Sequence, residues 1–178
     1  MTDWPHIVEQ YGPLVWRTAY RLLNQDADAA DCFQRTFLAA LEFSRKEAVR
    51  SWPALLQRLA TARAIERIRE RSRNASRFEP LPPGPLVDGK AMEPGQAAAT
   101  SELAEDLRLA LAELDPRQAE VFCLACLEEL SYAEIAAQLS VTVNHVGVLL
   151  NRARASLREK LEAHAPNASR NLGPRGAK

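Results

Sequence analysis

The sequence predicts an all-α protein of two small helical domains joined by a Pro/Gly-rich linker, the second domain carrying a helix-turn-helix. Three observations point to it. Ala, Leu, Arg and Glu dominate while Gly contributes only 7 of 178 residues, a mixture that favours helices over sheets. Apolar residues recur at three- and four-residue steps, the spacing that keeps them on one helix face. That periodicity disappears between Asn74 and Ala99, where Pro80, Pro82, Pro83, Gly84, Pro85, Gly89, Pro94 and Gly95 cannot continue a helix or a central strand.

The first domain, residues 1–77, reads as three helices. Ile7, Val8, Tyr11, Leu14, Val15, Ala19, Leu22 and Leu23 form the inner stripe of the first, which Asn24 to Asp28 interrupts. Asp26 is a candidate N-cap for the second, because its carboxylate can accept the free N–H groups of the first turn, and Ala30, Phe33, Phe37, Ala40 and Leu41 then point inward. Ser51 caps a third, with Pro53 in the first turn where no N–H is required, and Leu55, Leu59, Ala62, Ile65 and Ile68 as its stripe.

Residues 78–100 are the linker, whose Phe78, Leu81, Leu86 and Val87 are suited to lie along a partner surface. The second domain, residues 101–164, resumes with Leu103, Leu107, Ala110, Leu111 and Leu114. Asp115 caps the next helix and Pro116 fits its first position. Ser131 with Glu134 is a capping box, so a short helix begins at Tyr132. Ser140-Val141-Thr142 is a turn, and Thr142 caps a long last helix with Val146, Leu150, Ala153, Leu157 and Leu161 inside. Residues 165–178, polar and basic with Pro166, Gly173 and Pro174, read as a disordered tail.

The 23 basic and 23 acidic residues cancel, but they are unevenly placed. Seven Arg lie between Arg58 and Arg77 and seven Lys or Arg between Asn151 and Lys178, whereas Asp88 to Glu120 holds eight acids. Two basic stretches around an acidic one suggest two anionic contacts, although solvated helix faces look similar. No apolar run approaches the roughly 20 residues that cross a bilayer, and Met1 to His6 lack a signal peptide's features, so a cytoplasmic protein without membrane insertion is expected. Its three cysteines are then reduced thiols. Cys123 and Cys126 sit on one apolar helix with no His grouped near them, which favours buried thiols over zinc. With no metal set, cofactor motif or catalytic constellation in the sequence, no enzyme activity and no cofactor are expected.

The run from Tyr132 to Arg152 has helix-turn-helix spacing. Ala136 lets two helices approach, Ile135, Leu139, Val146 and Leu150 fill the space between them, and the outer face of the second helix can enter a major groove. A helical hairpin in a bundle has similar spacing.

Leu114-Asp-Pro-Arg-Gln-Ala-Glu-Val-Phe122, Leu130-Ser-Tyr-Ala-Glu-Ile-Ala-Ala137 and Asn151-Arg-Ala-Arg154 together resemble region 4 of extracytoplasmic-function (ECF) RNA polymerase sigma factors. Ala30-Asp-Cys-Phe-Gln-Arg-Thr-Phe-Leu38 resembles the region 2 segment that grips the polymerase clamp, and Leu56-Gln-Arg-Leu-Ala60 with Glu66-Arg-Ile-Arg69 resembles the helix that reads the minus-ten element. The matches span about residues 7–77 and 103–162, in the family's order.

The resemblance implies a polymerase-docking strip of Asp31, Gln34, Arg35 and Phe37 on the second helix, with core packing the alternative for Phe37 and Arg35 standing where the family usually has an acid. It implies that Arg63, Arg67, Arg69 and Arg71, with Trp52 nearby, bind opened DNA, although a solvated face would show the same charges. The family commonly has Asn and Asp where Ala62 and Glu66 stand, which favours backbone over base contacts here. On the last helix Thr142, Asn144, His145, Val148, Asn151, Arg152 and Arg154 are the DNA-binding candidates: Asn pairs with adenine, Val148 meets a thymine methyl, and the arginines suit phosphates. The family places Lys, Ser and Arg where Gly147, Val148 and Leu149 stand, and a turn Gly where Ser140 stands, so this reader is only weakly basic.

The expected function is a sigma factor that binds core RNA polymerase and directs initiation at promoter DNA through minus-thirty-five and minus-ten elements, with an anti-sigma factor as a further expected partner. The alternative is a helix-turn-helix regulator that does not bind core polymerase; a thiol or zinc enzyme is more distant.

Overall fold

A computed structural model describes residues 2–75 and 94–164, with side chains over 2–75 and 102–162. The linker between 76 and 93 and the tail from 165 lie outside the described residues. The helices are α1 (Trp4–Leu23), α2 (Asp26–Lys46), α3 (Trp52–Ala75), α4 (Pro94–Glu113), α5 (Pro116–Cys126), α6 (Tyr132–Leu139) and α7 (Val143–His164). Among the described residues there is no strand.

Local chemistry sets most of the boundaries. The Asp3 carboxylate accepts from the His6 N–H at 3.3 Å, and α1 ends where Asn24 turns left-handed at φ 50° and donates its N–H to the Tyr20 carbonyl. Asn tolerates that conformation better than most residues. Ser51 accepts from the Ala54 N–H at 3.5 Å at the start of α3. Asp115 accepts from the N–H groups of Arg117 and Gln118 at 2.9 and 3.3 Å. Asp26 departs from expectation: it is the first residue of α2, Gln25 holds the cap position, and no side chain bonds there. Asp26 and Asp28 still place negative charge in the first turn, where the helix dipole favours it. α4 also starts earlier than expected, at Pro94. A proline cannot continue a helix, but it fits the first position, where its missing N–H has no partner to lose.

Three clusters form the core. Ile7, Val15, Ala40, Leu55, Leu56 and Ala60 bind α1–α3 together, with Trp4, Trp52, Phe33 and Phe37 half-buried against them. Val121, Leu124, Ile135, Leu139, Val146, Leu149 and Leu150 fill the space between α5, α6 and α7. The third cluster belongs to both halves: Ala19, Leu22, Leu23, Ala64, Ile65 and Ile68 meet Ala110, Leu111, Leu114, Ala119, Ala153 and Leu157. Ala64, Ala110, Ala119 and Ala153 have no exposed surface, and such small side chains let helices from opposite halves close on one another.

Two residues assigned to inner stripes face solvent, Val8 at 37% and Leu103 at 60% exposure. Leu149, which the inner stripe did not include, is buried. Cys123 is buried, as expected, and Cys32 is buried too; burial pushes the Cys32 thiol up to about 11 and the Cys123 thiol upward as well. Cys126 is a correction to the buried pair. Its thiol is exposed at the end of α5, three residues on from Cys123, because one further helical turn carries it past the core.

Candidate nucleic-acid interface

The site is built on α6 and α7. Ser131 accepts from the Glu134 N–H at 3.3 Å while the Glu134 carboxylate accepts from the Ser131 N–H at 2.8 Å, completing the capping box. The Ser131 hydroxyl, then its N–H, hold the Glu134 carboxyl below its usual range. After eight residues α6 stops at Ser140, which adopts φ 54°, and Thr142 accepts from the His145 N–H at 3.2 Å to start α7. The chain bends by 102° between the two helices, within the roughly 90–120° of a helix-turn-helix.

On α7 the buried residues Val146, Leu149, Leu150, Ala153 and Leu157 share one face, and Asn144, Val148, Asn151 and Arg152 lie exposed across from it. Thr142 and His145 are exposed at the start of the helix. Gly147 lies beside Tyr132 of α6: a Cβ built there would be 3.8 Å from the Tyr132 ring. Arg154 is exposed but turned towards α5, its guanidinium 3.7 Å from Cys126 Sγ. The structure therefore gathers six of the seven candidates at one end and face of α7 and sends Arg154 to its side.

The basic residues of α3 are placed differently from a free phosphate-binding stripe. Arg63 pairs with Glu66 at 2.7 Å. Arg67 holds the buried Asp28 carboxylate at 2.8 and 2.9 Å and also reaches Glu70 at 3.3 Å. The bond to Asp28 pushes the Arg67 guanidinium above its usual range. Arg71 donates to the Leu23 carbonyl at 3.2 Å and lies 3.6 Å from Asp28. Arg69 donates across the molecule to the Leu114 carbonyl at the end of α4. Trp52 packs edge-on against Trp4, with ring centroids 5.3 Å apart, rather than standing free for bases. Charge patterning could not reveal the bonds to Asp28, Leu23 and Leu114, because those partners lie far away in the sequence.

On α2, Asp31, Gln34 and Arg35 are exposed on one strip, and Asp31 pairs with Arg35 at 2.8 Å. Phe37 is half-buried, its ring centroid 4.9 Å from that of Phe33. Leu38, exposed at 60%, is the strip residue that sequence reasoning missed. Its signal was an apolar side chain off the inner stripe. Trp16 on α1 is likewise 39% exposed and stacks on Tyr20. Among the described residues no group of three His, Cys, Asp or Glu could hold a metal ion.

The family models for sigma-70 region 2 and sigma-70 region 4 match residues 7–74 and 104–157. The chain is 32% identical over 166 residues to the ECF RNA polymerase sigma factor SigE of Mycolicibacterium smegmatis, covering 93% of this chain and 64% of that relative's length. It is 26% identical to the ECF RNA polymerase sigma factor SigW of Bacillus subtilis, over 87% of each chain. Two solved structures share the fold. The sigma factor RpoE of Bartonella quintana, in complex with the anti-sigma factor NepR, gives a TM-score of 0.54 at 20% identity over 91% of this chain and 98% of that one. CnrH, in complex with the cytosolic domain of CnrY, gives 0.53 at 24% identity over 90% and 88%. Region 2 falls on α1–α3 and region 4 on α4–α7, in the order and with the relatives expected, and the chain therefore belongs to the ECF sigma factors of the sigma-70 family.

Proposed function

We propose that this chain binds core RNA polymerase through α2 and directs initiation at promoters whose minus-thirty-five element is read by α7 and whose minus-ten element is met by α3. The observation that carries the reading is the pairing, on one chain, of a capped helix-turn-helix with its reading face exposed and an exposed polar strip, Asp31, Gln34 and Arg35, on a separate helix. Residues 1–77 then serve polymerase and the minus-ten element, and residues 101–164 the upstream element. The polymerase supplies the chemistry, so the chain itself is not an enzyme. It works in the cytoplasm, where polymerase and DNA are; no single helix among the described residues is long and apolar enough to cross a membrane. An anti-sigma factor is a further partner, by likeness to the relatives solved with one.

The two halves must part for this. Elements about 25 base pairs apart are separated by roughly 85 Å of duplex at about 3.4 Å per pair. No arrangement with a shared Leu23–Leu111 core reaches both. Separation also frees Arg69 from the Leu114 carbonyl.

The test is transcription in vitro from fragmented genomic DNA with purified core polymerase, with and without the full chain, followed by sequencing of transcript starts. Discrete new starts behind a common pair of upstream elements are expected. Sequence-specific DNA binding without new starts would sink this reading in favour of a regulator that does not engage polymerase.

A further inference from the structure

The start of α7 is short of the residue that most often reads guanine. From Val143 to Asn151 there is no Lys or Arg, and the first is Arg152. Arg and Lys are the side chains that bond the O6 and N7 of guanine, whereas Asn bonds the N6 and N7 of adenine and an apolar group meets the C5-methyl of thymine. Besides His145 at the start of the helix, the outer face of this stretch carries the second chemistry: Asn144, Val148 and Asn151 follow one another at steps of four and three, opposite the buried Val146, Leu150 and Ala153. Among the described residues, neither amide is taken up by a side-chain hydrogen bond within the protein. Val148 is 37% exposed and Val143 51%, so the apolar groups on this face are unburied in the free protein. Gly147, between them, has the Tyr132 ring at 3.8 Å and otherwise open space, which lets the helix backbone approach the groove.

We propose that Asn144, Val148 and Asn151 make this chain a reader of an A·T-rich upstream element, with adenine edges on the two amides and a thymine methyl on Val148. Resting on the promoter-recognition reading above, the proposal names the class of DNA that the site selects. The spacing fits. Asn144 and Val148 are separated by about 6 Å along the helix axis, roughly two base steps of about 3.4 Å.

The test uses the full chain in complex with core polymerase, on the strongest promoter recovered by sequencing transcripts from genomic DNA. Replacing upstream thymines one at a time by deoxyuridine removes only the methyl group. At one position wild-type holoenzyme binding should weaken by about fourfold, the effect of exposing one apolar carbon. Val148→Ala should bind thymine and uracil templates equally. Replacing adenine by 7-deazaadenine should weaken wild type at the positions read by Asn144 and Asn151, and Asn144→Ala should lose about ten- to a hundredfold in adenine preference at its own pair. Gly147→Arg, whose side chain enters open space from a helix with ordinary backbone angles, should create a preference for guanine that wild type lacks. Specific initiation from elements dominated by G·C pairs, or a wild-type holoenzyme indifferent to every uracil and 7-deazaadenine, would overturn this proposal and leave the sigma reading intact. Failure of the complex to initiate at any promoter would overturn the sigma reading first and this one with it.

Discussion

Gln57 of α3 donates its side-chain N–H to the Glu128 carboxylate at 2.7 Å, joining the first half of the molecule to the loop between α5 and α6. The Glu128 side chain is only 3% exposed, and its other oxygen lies 3.7 Å from Arg21 with no hydrogen bond of its own. Arg58 adds a second bridge, donating to the Gln138 carbonyl at 2.8 Å, and Arg108 a third, to the Leu22 carbonyl at 2.8 Å. Buried charge satisfied this sparingly makes the contact sensitive to a single substitution. Gln57→Leu should lower the unfolding free energy by about 1–3 kcal/mol, the cost of stranding a buried acceptor. With a specific protease site inserted between residues 76 and 93, the cut halves of the wild type should elute together. The cut Gln57→Leu halves should already separate at a concentration where the wild-type halves stay together, and identical elution with an unchanged urea midpoint would show that this bond contributes nothing to the docking.

Asp31 and Gln34 are exposed, and the Asp31–Arg35 pair is worth only about 0.3–0.5 kcal/mol as an exposed i,i+4 contact. The double change Asp31→Ala, Gln34→Ala should therefore leave the melting curve almost unmoved. Association with core polymerase should fall by roughly tenfold, the loss of about one hydrogen bond to a charged group. Fluorescence anisotropy of labelled protein titrated with core enzyme measures it, and unchanged affinity would take α2 out of the docking surface.

Arg152 is the first cation along the reading helix, and its suitability for phosphates predicts a loss that ignores sequence. Arg152→Ala should weaken holoenzyme binding alike at cognate and scrambled upstream elements. The slope of log affinity against log salt should shrink by about 0.9, the value for one lost phosphate contact on duplex DNA. A loss confined to the cognate element would instead make Arg152 a base reader.

Ser140 ends α6 in the left-handed region at φ 54°, where a Cβ costs about 1–2 kcal/mol and glycine has no such penalty. Glycine's greater freedom in the unfolded chain returns part of that. Ser140→Gly should stabilise the protein by about 0.5–1 kcal/mol, read as a raised denaturation midpoint with DNA affinity unchanged. A lower midpoint would mean that the serine side chain itself supports the turn.

The sequence alone determined where most helices begin and which face of each is apolar, because caps and periodicity are local: Asp115, Ser131 with Glu134, and Thr142 satisfy N–H groups two or three residues away. It also brought Asn144, Val148 and Asn151 to one outer face, since a helix's repeat places them there whatever it packs against. Where local signals were weak the reading slipped, as at Asp26, at Val8 and Leu103, and at Leu149, whose apolar character went to the core between α5, α6 and α7. Only the tertiary structure decided that Leu23 and Leu111 share a core, that Arg67 and Arg71 attend to Asp28, and that Arg69 holds the Leu114 carbonyl. These contacts join residues tens of positions apart, and an arginine's destination depends on which carboxylate or carbonyl the packing of distant helices brings within reach.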